Sequence, residues 1–306
     1  MKFIRHIALA VLFVVSLSAQ ASTTIETPNG TFPLIDQGTG PAVLLLHGFP
    51  DSKDVWKHQI PALTEAGFRV IAPDLRGYGD APSPMAKEAY AIPVLMSDVI
   101  GMLDALGLDK VYLVGHDWGA GLSWQLASFF QHRFNSMIVL SVGPPDVPAW
   151  SSIEQRRMSW YFYLFLQEGL AEKTLADYDW RLMRQFLESH PEAEQVIERL
   201  KQGNQMTTAL NWYRGNLQDR LAQPGADYVV DEGEPPVPEV RIHIPVLGVW
   251  SDLDIYLSEA QVKQSSMVAA DFTFRKIEGA GHWMMLDKPD EVNALLLDFL
   301  AEHSSE

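Results

Sequence analysis

Short apolar runs recur along the chain between segments with helical spacing, and this alternation predicts the fold. Continuous apolar runs are typical of strands that are buried on both faces of a parallel sheet. They cover residues 43–46, 70–72, 111–114, 137–140, 246–250 and 272–277. Between them, segments such as 95–106 place apolar residues three and four positions apart, as amphipathic helices do. The pattern predicts a doubly wound α/β fold with a mostly parallel sheet.

The alternation is interrupted once, between residues 144 and 240. Residues 151–218 have the pattern of consecutive amphipathic helices rich in Trp, Tyr, Phe and Met, and residues 231–238 are polar and proline-rich. We therefore expect a helical cap inserted into the α/β core. The predicted core comprises residues 22–144 and 241–306, and the predicted cap with its return linker comprises residues 145–240.

The first 21 residues have the pattern of an export signal. Lys2 and Arg5 precede an apolar run over residues 7–17, and Ala19-Gln20-Ala21 provides the small residues that a signal peptidase recognises. The run is too short to span a bilayer as a helix, which needs about 20 residues. We predict a signal peptide over residues 1–21, cleavage after Ala21, and a periplasmic or secreted protein.

Composition and charge narrow the classes of partner. The 306 residues are 47% hydrophobic and 10% aromatic, which is typical of a globular protein with a large core. A formal net charge of -16 argues against binding nucleic acid. The chain has no cysteine, which excludes disulfides, thiol catalysis and cysteine metal sites. We expect no cofactor, no metal and no membrane span in the mature chain, while the oligomeric state stays open.

A strand-to-helix turn carries the candidate nucleophile. The stretch Gly115-His116-Asp117-Trp118-Gly119 follows the strand predicted over 111–114 and precedes a helical run. In such a nucleophile elbow, the flanking glycines are expected to permit the sharp turn that exposes the central side chain. Aspartate is anionic near neutral pH and is suited to attack a saturated carbon, whereas serine is suited to acyl carbons. Asp117 therefore predicts an alkyl-enzyme ester.

Hydrolysis of that ester needs a general base and a water molecule. His282 follows the last predicted strand, and Asp254 follows the strand before it. Both residues are thus expected at the carboxyl edge of the sheet, where Asp254 orients the imidazole. The chain order Asp117, Asp254, His282 places nucleophile, acid and base in a sequence known from hydrolases.

Two further features complete the predicted catalytic site. The backbone N–H groups of Phe49 and Trp118 are expected to form an oxyanion hole, since each follows the end of a predicted strand. The acid has two alternatives, Asp252 and Asp146, which also follow strands. The spacing from Trp250 favours Asp254.

Four motifs resemble those of the epoxide hydrolases in the α/β-hydrolase superfamily, and the resemblance covers about residues 28–302. The motifs are His47-Gly48-Phe49-Pro50, Asp74-Leu75-Arg76-Gly77-Tyr78-Gly79, Gly115-His116-Asp117-Trp118-Gly119 and Gly281-His282-Trp283 with Asp287-Lys288-Pro289. The resemblance implies an α/β-hydrolase fold and conversion of an epoxide to a vicinal diol. It also implies a covalent ester on Asp117, hydrolysed by water that His282 and Asp254 activate.

Epoxide hydrolases use two cap tyrosines as acids, because the alkoxide formed on ring opening is too basic to leave unaided. Asn211-Trp212-Tyr213-Arg214 is similar to the segment that bears one of them, which implies a role for Tyr213. Ser159-Trp160-Tyr161 is similar to the segment that bears the other, which implies a role for Tyr161.

The second segment departs from the family pattern. Leu166 stands where the family has glutamine, and Glu168 stands where it has proline. The register therefore leaves Tyr163 as an alternative to Tyr161. Cap aromatic residues are expected to line an apolar pocket. The residues predicted to contact substrate are Phe49, Trp118, Tyr163 and Trp212.

Two other functions remain open at this point. Haloalkane and fluoroacetate dehalogenases share the aspartate nucleophile, but commonly have Asn or another donor at the position of Phe49, or Arg at the position of Trp118. Phe49 offers no side-chain donor to a halide, whereas the Trp118 indole does. A non-catalytic ligand-binding protein is the third hypothesis, and the presence of every predicted catalytic residue argues against it.

Overall fold

One mixed β-sheet organises the computed structural model, which describes residues 22–222, 239 and 241–304. Within those residues, the sheet has eight strands in the order β1-β2-β4-β3-β5-β6-β7-β8. They are β1 Ser22–Thr27, β2 Gly30–Gln37, β3 Ala42–Leu46, β4 Arg69–Pro73, β5 Val111–His116, β6 Phe134–Leu140, β7 Val246–Ser251 and β8 Phe272–Ile277. The predicted signal peptide and the proline-rich part of the predicted linker lie outside the described residues.

The six strands predicted from apolar runs are β3 to β8, and they pair with one another in parallel. This confirms an α/β fold with a mostly parallel sheet. Strands β3, β5 and β7 are buried along their whole length. The expectation of burial on both faces is wrong for β8, where Arg275 and Lys276 are exposed. Because β8 is the last strand of the sheet, it has fewer neighbours to cover it.

Strands β1 and β2 were not predicted from the sequence. They form an antiparallel hairpin, and β2 also pairs antiparallel with β4. The hairpin was missed because only the middle of β2 is buried and the apolar run is short. Asn29 ends the turn and Gly30 begins β2, and an Asn-Gly pair is a known signal of a tight hairpin turn that could have revealed it.

Helices flank the sheet and follow its strands. The described part of the chain contains α1 Gln59–Glu65, α2 Ile92–Ala105, α3 Trp118–Phe130, α4 Ile153–Met158, α5 Tyr161–Phe165, α6 Leu170–Phe186, α7 Ala193–Leu200, α8 Gln205–Ala222, α9 Glu259–Lys263, α10 Met284–Asp287 and α11 Pro289–Glu302. Helix α6 is interrupted by non-helical backbone at residues 177–180. None of the helices in the described ranges is long and apolar enough to cross a membrane.

Helices α4 to α8 lie between β6 and β7 in the chain, and we call them the cap. Helix α8 docks on the loop after β4 through side chains that bond to backbone carbonyls. The hydroxyl of Thr208 donates to the carbonyl of Gly77 at 2.8 Å, and the indole N–H of Trp212 donates to the carbonyl of Arg76 at 2.8 Å. Arg76 itself forms a buried two-bonded ion pair with Asp98, at 2.6 and 2.7 Å. These bonds orient the helix that carries Tyr213.

Candidate active site

Asp117 lies at the turn between β5 and α3 with φ 51° and ψ -121°, a backbone conformation that few side chains adopt. Gly115 and Gly119 do not have positive φ. Their role is close packing, since an added Cβ would lie 2.5 Å from the Gly119 carbonyl oxygen at Gly115, and 2.1 Å from the Leu46 carbonyl oxygen at Gly119. The glycines therefore permit the tight turn because they leave room for close packing, whereas the positive φ belongs to Asp117 itself.

One oxygen of the Asp117 carboxylate is held by the loop after β3. The backbone N–H of Phe49 donates to Asp117 Oδ1 at 2.7 Å. This approach is possible only with glycine at position 48, because a Cβ there would lie 2.4 Å from the Cβ of Asp117. The Phe49 N–H thus lies where the predicted oxyanion hole requires it. Trp118 is the first residue of α3, and the role of its N–H stays a prediction.

The other oxygen of Asp117 faces His282. The distance from His282 Nε2 to Asp117 Oδ2 is 3.6 Å, and His282 Nδ1 lies 2.8 Å from Asp254 Oδ2. The second oxygen of Asp254 accepts from the N–H groups of Tyr256 at 2.8 Å and Leu257 at 3.1 Å. Asp254 is therefore fixed by the backbone on one side and holds the imidazole on the other.

The charges around His282 determine its protonation. Burial lowers the pKa of the imidazole, but the charge of Asp254, its hydrogen bond to the ring and the nearby carboxylate of Asp117 outweigh burial, and the pKa is raised to about 10. The resting His282 is therefore protonated near neutral pH. Part of the rise in pKa comes from Asp117 and depends on that carboxylate being ionised.

His116, the residue before the nucleophile, anchors the loop that carries His282. His116 Nε2 donates to the backbone carbonyl of His282 at 3.0 Å, and the hydroxyl of Ser141 donates to the same carbonyl at 3.3 Å. Burial, followed by the nearby charge of His282, lowers the pKa of His116 to about 4, so its ring is neutral at neutral pH. The sequence alone did not predict this link between the two catalytic loops.

The two alternative acids have other partners. Asp252 Oδ1 accepts from the backbone N–H of Gly279 at 2.7 Å. Asp146 forms a two-bonded ion pair with Arg241, at 2.7 and 2.8 Å, on the protein surface. The structure therefore brings Asp254, and neither of these residues, to His282.

A cavity of about 290 Å³ opens beside Asp117, and both Tyr161 and Tyr213 line it. Their side chains are almost fully buried, and the ring centroids are 6.1 Å apart. Burial and the nearby charge of Asp117 raise the pKa of both phenols well above the usual value. Both hydroxyls are therefore protonated at neutral pH and are able to donate a proton into the cavity.

The predicted substrate contacts are distributed differently from the expectation. Trp118 lines the cavity, as do Trp150 and Phe162. Tyr163 is 46% exposed and does not line the cavity. Trp212 is fully buried, its indole N–H donates to the loop after β4, and it does not line the cavity either. The structure therefore favours Tyr161 over Tyr163 as the first cap acid.

The side chain of Phe49 also differs from its predicted role. It is buried, and its ring packs 5.3 Å from the ring of Tyr213 and 5.3 Å from that of Phe165. It is not among the residues that line the cavity. Phe49 thus packs against a cap tyrosine with its ring and donates to Asp117 with its backbone N–H.

Asp51 forms a buried polar link between the core and the cap. Asp51 Oδ1 accepts from His190 Nε2 at 3.0 Å, and Oδ2 accepts from the indole N–H of Trp283 at 2.8 Å. His190 Nδ1 accepts from the backbone N–H of Glu192 at 2.9 Å, which leaves the ring proton on Nε2. Burial raises the pKa of Asp51, but His190 and then Arg199 outweigh it and lower the pKa to about 2.

We expect Asp51→Asn to lower the free energy of unfolding by about 2 to 4 kcal/mol, because one of two buried N–H donors loses its acceptor. The pKa of Asp51 is depressed in the folded state, so its contribution is complete above the usual value of 3.8 and is lost as pH falls toward 2. Urea denaturation at neutral and acidic pH measures both effects.

Asp146→Asn is the matched control for the Asp51 experiment. Its ion pair with Arg241 is partly exposed, so we expect a change below about 1 kcal/mol. Equal effects of the two substitutions would contradict the assignment of Asp51 as the buried link.

Comparison with known proteins places these observations in a family. Residues 41–289 match the family described as alpha/beta hydrolase fold. The chain is 30% identical to Bifunctional epoxide hydrolase 2 of Sus scrofa over 89% of this chain, and it spans 54% of that longer protein. It is 32% identical to Epoxide hydrolase 1 of Siraitia grosvenorii, over 92% of this chain and 98% of the relative.

Solved structures agree with the sequence comparison. A structure described as a novel epoxide hydrolase from metagenomes of hot environments aligns with a TM-score of 0.81 and 27% identity. The alignment covers 92% of this chain and 99% of that one. The chain therefore belongs to the α/β-hydrolase fold family, in the branch of that family that contains the epoxide hydrolases.

Proposed function

We propose that the protein hydrolyses epoxides to vicinal diols. The observation that carries this proposal is the arrangement around Asp117: a backbone N–H on one carboxylate oxygen, His282 3.6 Å from the other, and two protonated tyrosines in the same cavity. A protonated tyrosine hydroxyl can donate the proton that the epoxide oxygen needs when the ring opens. The similarity to proteins named epoxide hydrolase supports the same activity.

In the first step, Asp117 Oδ2 attacks one epoxide carbon and the carbon–oxygen bond of the ring breaks. The ring oxygen takes the electron pair and receives a proton from Tyr161 or Tyr213. Because Oδ1 accepts from the Phe49 N–H, Oδ2 is the freer nucleophile, and Oδ1 becomes the carbonyl oxygen of the ester. A phenolate and an alkyl-enzyme ester result.

The second step depends on the loss of charge at Asp117. Once Asp117 is an ester, its support for the charged imidazole is gone, so the pKa of His282 falls. The imidazolium proton passes to the phenolate, which restores the tyrosine and leaves Nε2 as a base. Water loses one proton to Nε2 and attacks Cγ, and the bond from Cγ to the alkyl oxygen breaks. The second proton of the water ends on that alkyl oxygen, so the diol is released, Asp117 is again a carboxylate and His282 is again protonated.

A pair of substrate panels tests the proposed function. Racemic aryl and alkyl epoxides are incubated with the enzyme and diols are quantified, while haloalkanes and fluoroacetate are assayed for halide release. We expect diol formation and little or no halide. Halide release without diol formation would overturn the proposal and assign the protein to the dehalogenases.

The cap tyrosines provide a sharper prediction. We expect Tyr161→Phe and Tyr213→Phe each to reduce kcat for an epoxide about 10- to 100-fold, because the remaining tyrosine must protonate the alkoxide alone. The double variant should lose about 1000-fold or more. Steady-state kinetics on a single epoxide measure all three.

Tyr163→Phe is the control for this series. Since Tyr163 lies outside the cavity, we expect its kcat to stay within about twofold of the wild type. A large loss in Tyr163→Phe with none in Tyr161→Phe would show that the register of the first cap segment is shifted.

We also propose that the protein is exported after removal of residues 1–21. The charged start, the short apolar run and the Ala19-Gln20-Ala21 site support this proposal. All described strands lie after Ala21, so cleavage there keeps every one of them. Fractionation of expressing cells and N-terminal sequencing test it, and a chain that keeps Met1 in the cytoplasmic fraction would contradict it.

A further inference from the structure

The cavity beside Asp117 has a polar group that the proposed reaction does not use. Beyond the catalytic residues, most of its lining is apolar, with Ile92, Val142, Pro145, Trp150, Phe162, Leu217 and Leu257 among the lining residues. The remaining polar side chains in the lining, apart from the indoles of Trp118 and Trp150, are Gln125 and Asn216. Such polar groups in an apolar pocket determine which ligands bind in which orientation.

The hydrogen-bonding capacity of Asn216 is already used within the protein. Its Oδ1 accepts from the backbone N–H of Ile92 at 2.9 Å, and its Nδ2 donates to the carbonyls of Tyr90 and Trp212 at 2.8 Å each. The indole N–H of Trp150 likewise donates to the Pro144 carbonyl at 2.8 Å, so Trp150 presents only its ring. Neither residue has a donor left for a ligand.

Gln125 differs from both. Its amide forms no hydrogen bond to any group within residues 23–217 and 241–304, and its side chain is only partly buried. It therefore retains both donors and a carbonyl acceptor for a molecule in the cavity. A neutral amide recognises an uncharged hydrogen-bonding group without the desolvation cost of a charge.

The helix geometry sets the distance between Gln125 and the nucleophile. Asp117 directly precedes α3, Gly121 and Gln125 follow it at four-residue intervals within the helix, and all three line the cavity. With a rise of about 1.5 Å per residue, Gln125 lies roughly 12 Å along the helix from Asp117. Gly121 leaves the space between them open, because a Cβ there would meet only the Trp118 ring, at 4.0 Å.

We propose that Gln125 forms a second recognition site for the far end of the substrate. The substrate class is then an extended epoxide with an apolar body of roughly 10 Å that ends in an uncharged hydrogen-bonding group, such as a hydroxyl or carbonyl. The proposal rests on the proposed epoxide hydrolysis. It adds a preference for substrates that are polar at both ends.

Two substrates that differ in one group test the site. One is a terminal epoxide of a straight-chain alkane of about ten carbons, and the other carries a hydroxyl at the opposite end. We expect the ratio of kcat/KM, hydroxylated over plain, to fall about tenfold in Gln125→Leu relative to the wild type. Leucine keeps the bulk and removes both the donors and the acceptor.

Gly121→Ala tests whether the ratio of kcat/KM responds to the shape of the cavity or to hydrogen bonding by Gln125. A methyl group at position 121 narrows the channel for both long substrates alike, so the ratio should stay at the wild-type value. An unchanged ratio in Gln125→Leu would overturn the proposal, as would an equal shift of the ratio in Gly121→Ala.

Styrene oxide serves as the reference for the chemical step, since it is too short to reach Gln125. If the wild type forms no diol from styrene oxide or from either long epoxide, the proposed function itself fails. If all are hydrolysed and the ratio does not depend on Gln125, only the recognition site fails.

Discussion

Asp117→Asn will lose at least about 1000-fold in kcat, because an amide oxygen is a much weaker nucleophile than a carboxylate toward a saturated carbon. Asparagine preserves the shape of the side chain and tolerates positive φ better than most residues, so the strained turn at φ 51° should survive. Steady-state diol formation, with thermal unfolding measured in parallel, checks the prediction. Single turnover of the wild type in oxygen-18 water should place the label in the Asp117 carboxylate.

Asp146→Asn is the matched control, since it removes a carboxylate that is paired with Arg241 and lies away from His282. Its kcat should stay within about twofold of the wild type. More than a tenth of wild-type activity in Asp117→Asn, or label found only in the diol, would exclude the covalent route.

His282→Gln will accumulate the alkyl-enzyme ester, because Asp117 can still attack while the general base is missing. We expect one rapid turnover of epoxide followed by a kcat about 100- to 10,000-fold below that of the wild type. Intact-protein and peptide mass spectrometry should find the mass of one epoxide on the peptide that contains Asp117. The wild type under the same conditions should show little adduct.

Asp254→Asn should behave between the wild type and His282→Gln. The imidazole remains, but it loses the charge that raises its pKa and the partner that orients it. The ester should therefore accumulate more slowly and to a lower level than in His282→Gln. Absence of adduct in both variants, with loss of epoxide consumption, would mean that His282 acts before the ester forms.

The fold and the chain order of the catalytic groups were predictable from local patterns. Buried strands of a parallel sheet are apolar along their length, so β3 to β7 stand out, and the residues that follow them gather at one edge. Asp117, Asp254 and His282 were found in this way. Their distances of 2.8 and 3.6 Å required the structure, because they depend on how three loops pack together.

The cap was less predictable than the core. Its amphipathic helices could be recognised, but periodicity does not tell which aromatic side chains face a cavity and which fill the space behind it. Tyr161 and Tyr163 differ by two positions, and only the packing of α5 directs the former inward and the latter to solvent. Trp212 looked like a substrate contact and instead docks α8 on the core.

By itself, the sequence determined the class of fold, the candidate nucleophile and the chemistry that an ionised carboxylate permits, since these follow from residue type and from short-range periodicity. The tertiary structure brought Asp254, which the spacing had favoured, to His282. It alone decided which of Tyr161 and Tyr163 lines the cavity, and that the Gln125 amide has no hydrogen-bond partner among the described side chains. Those outcomes depend on contacts between residues far apart in the chain, and free energies of burial and hydrogen bonding select among alternatives that are equivalent in sequence.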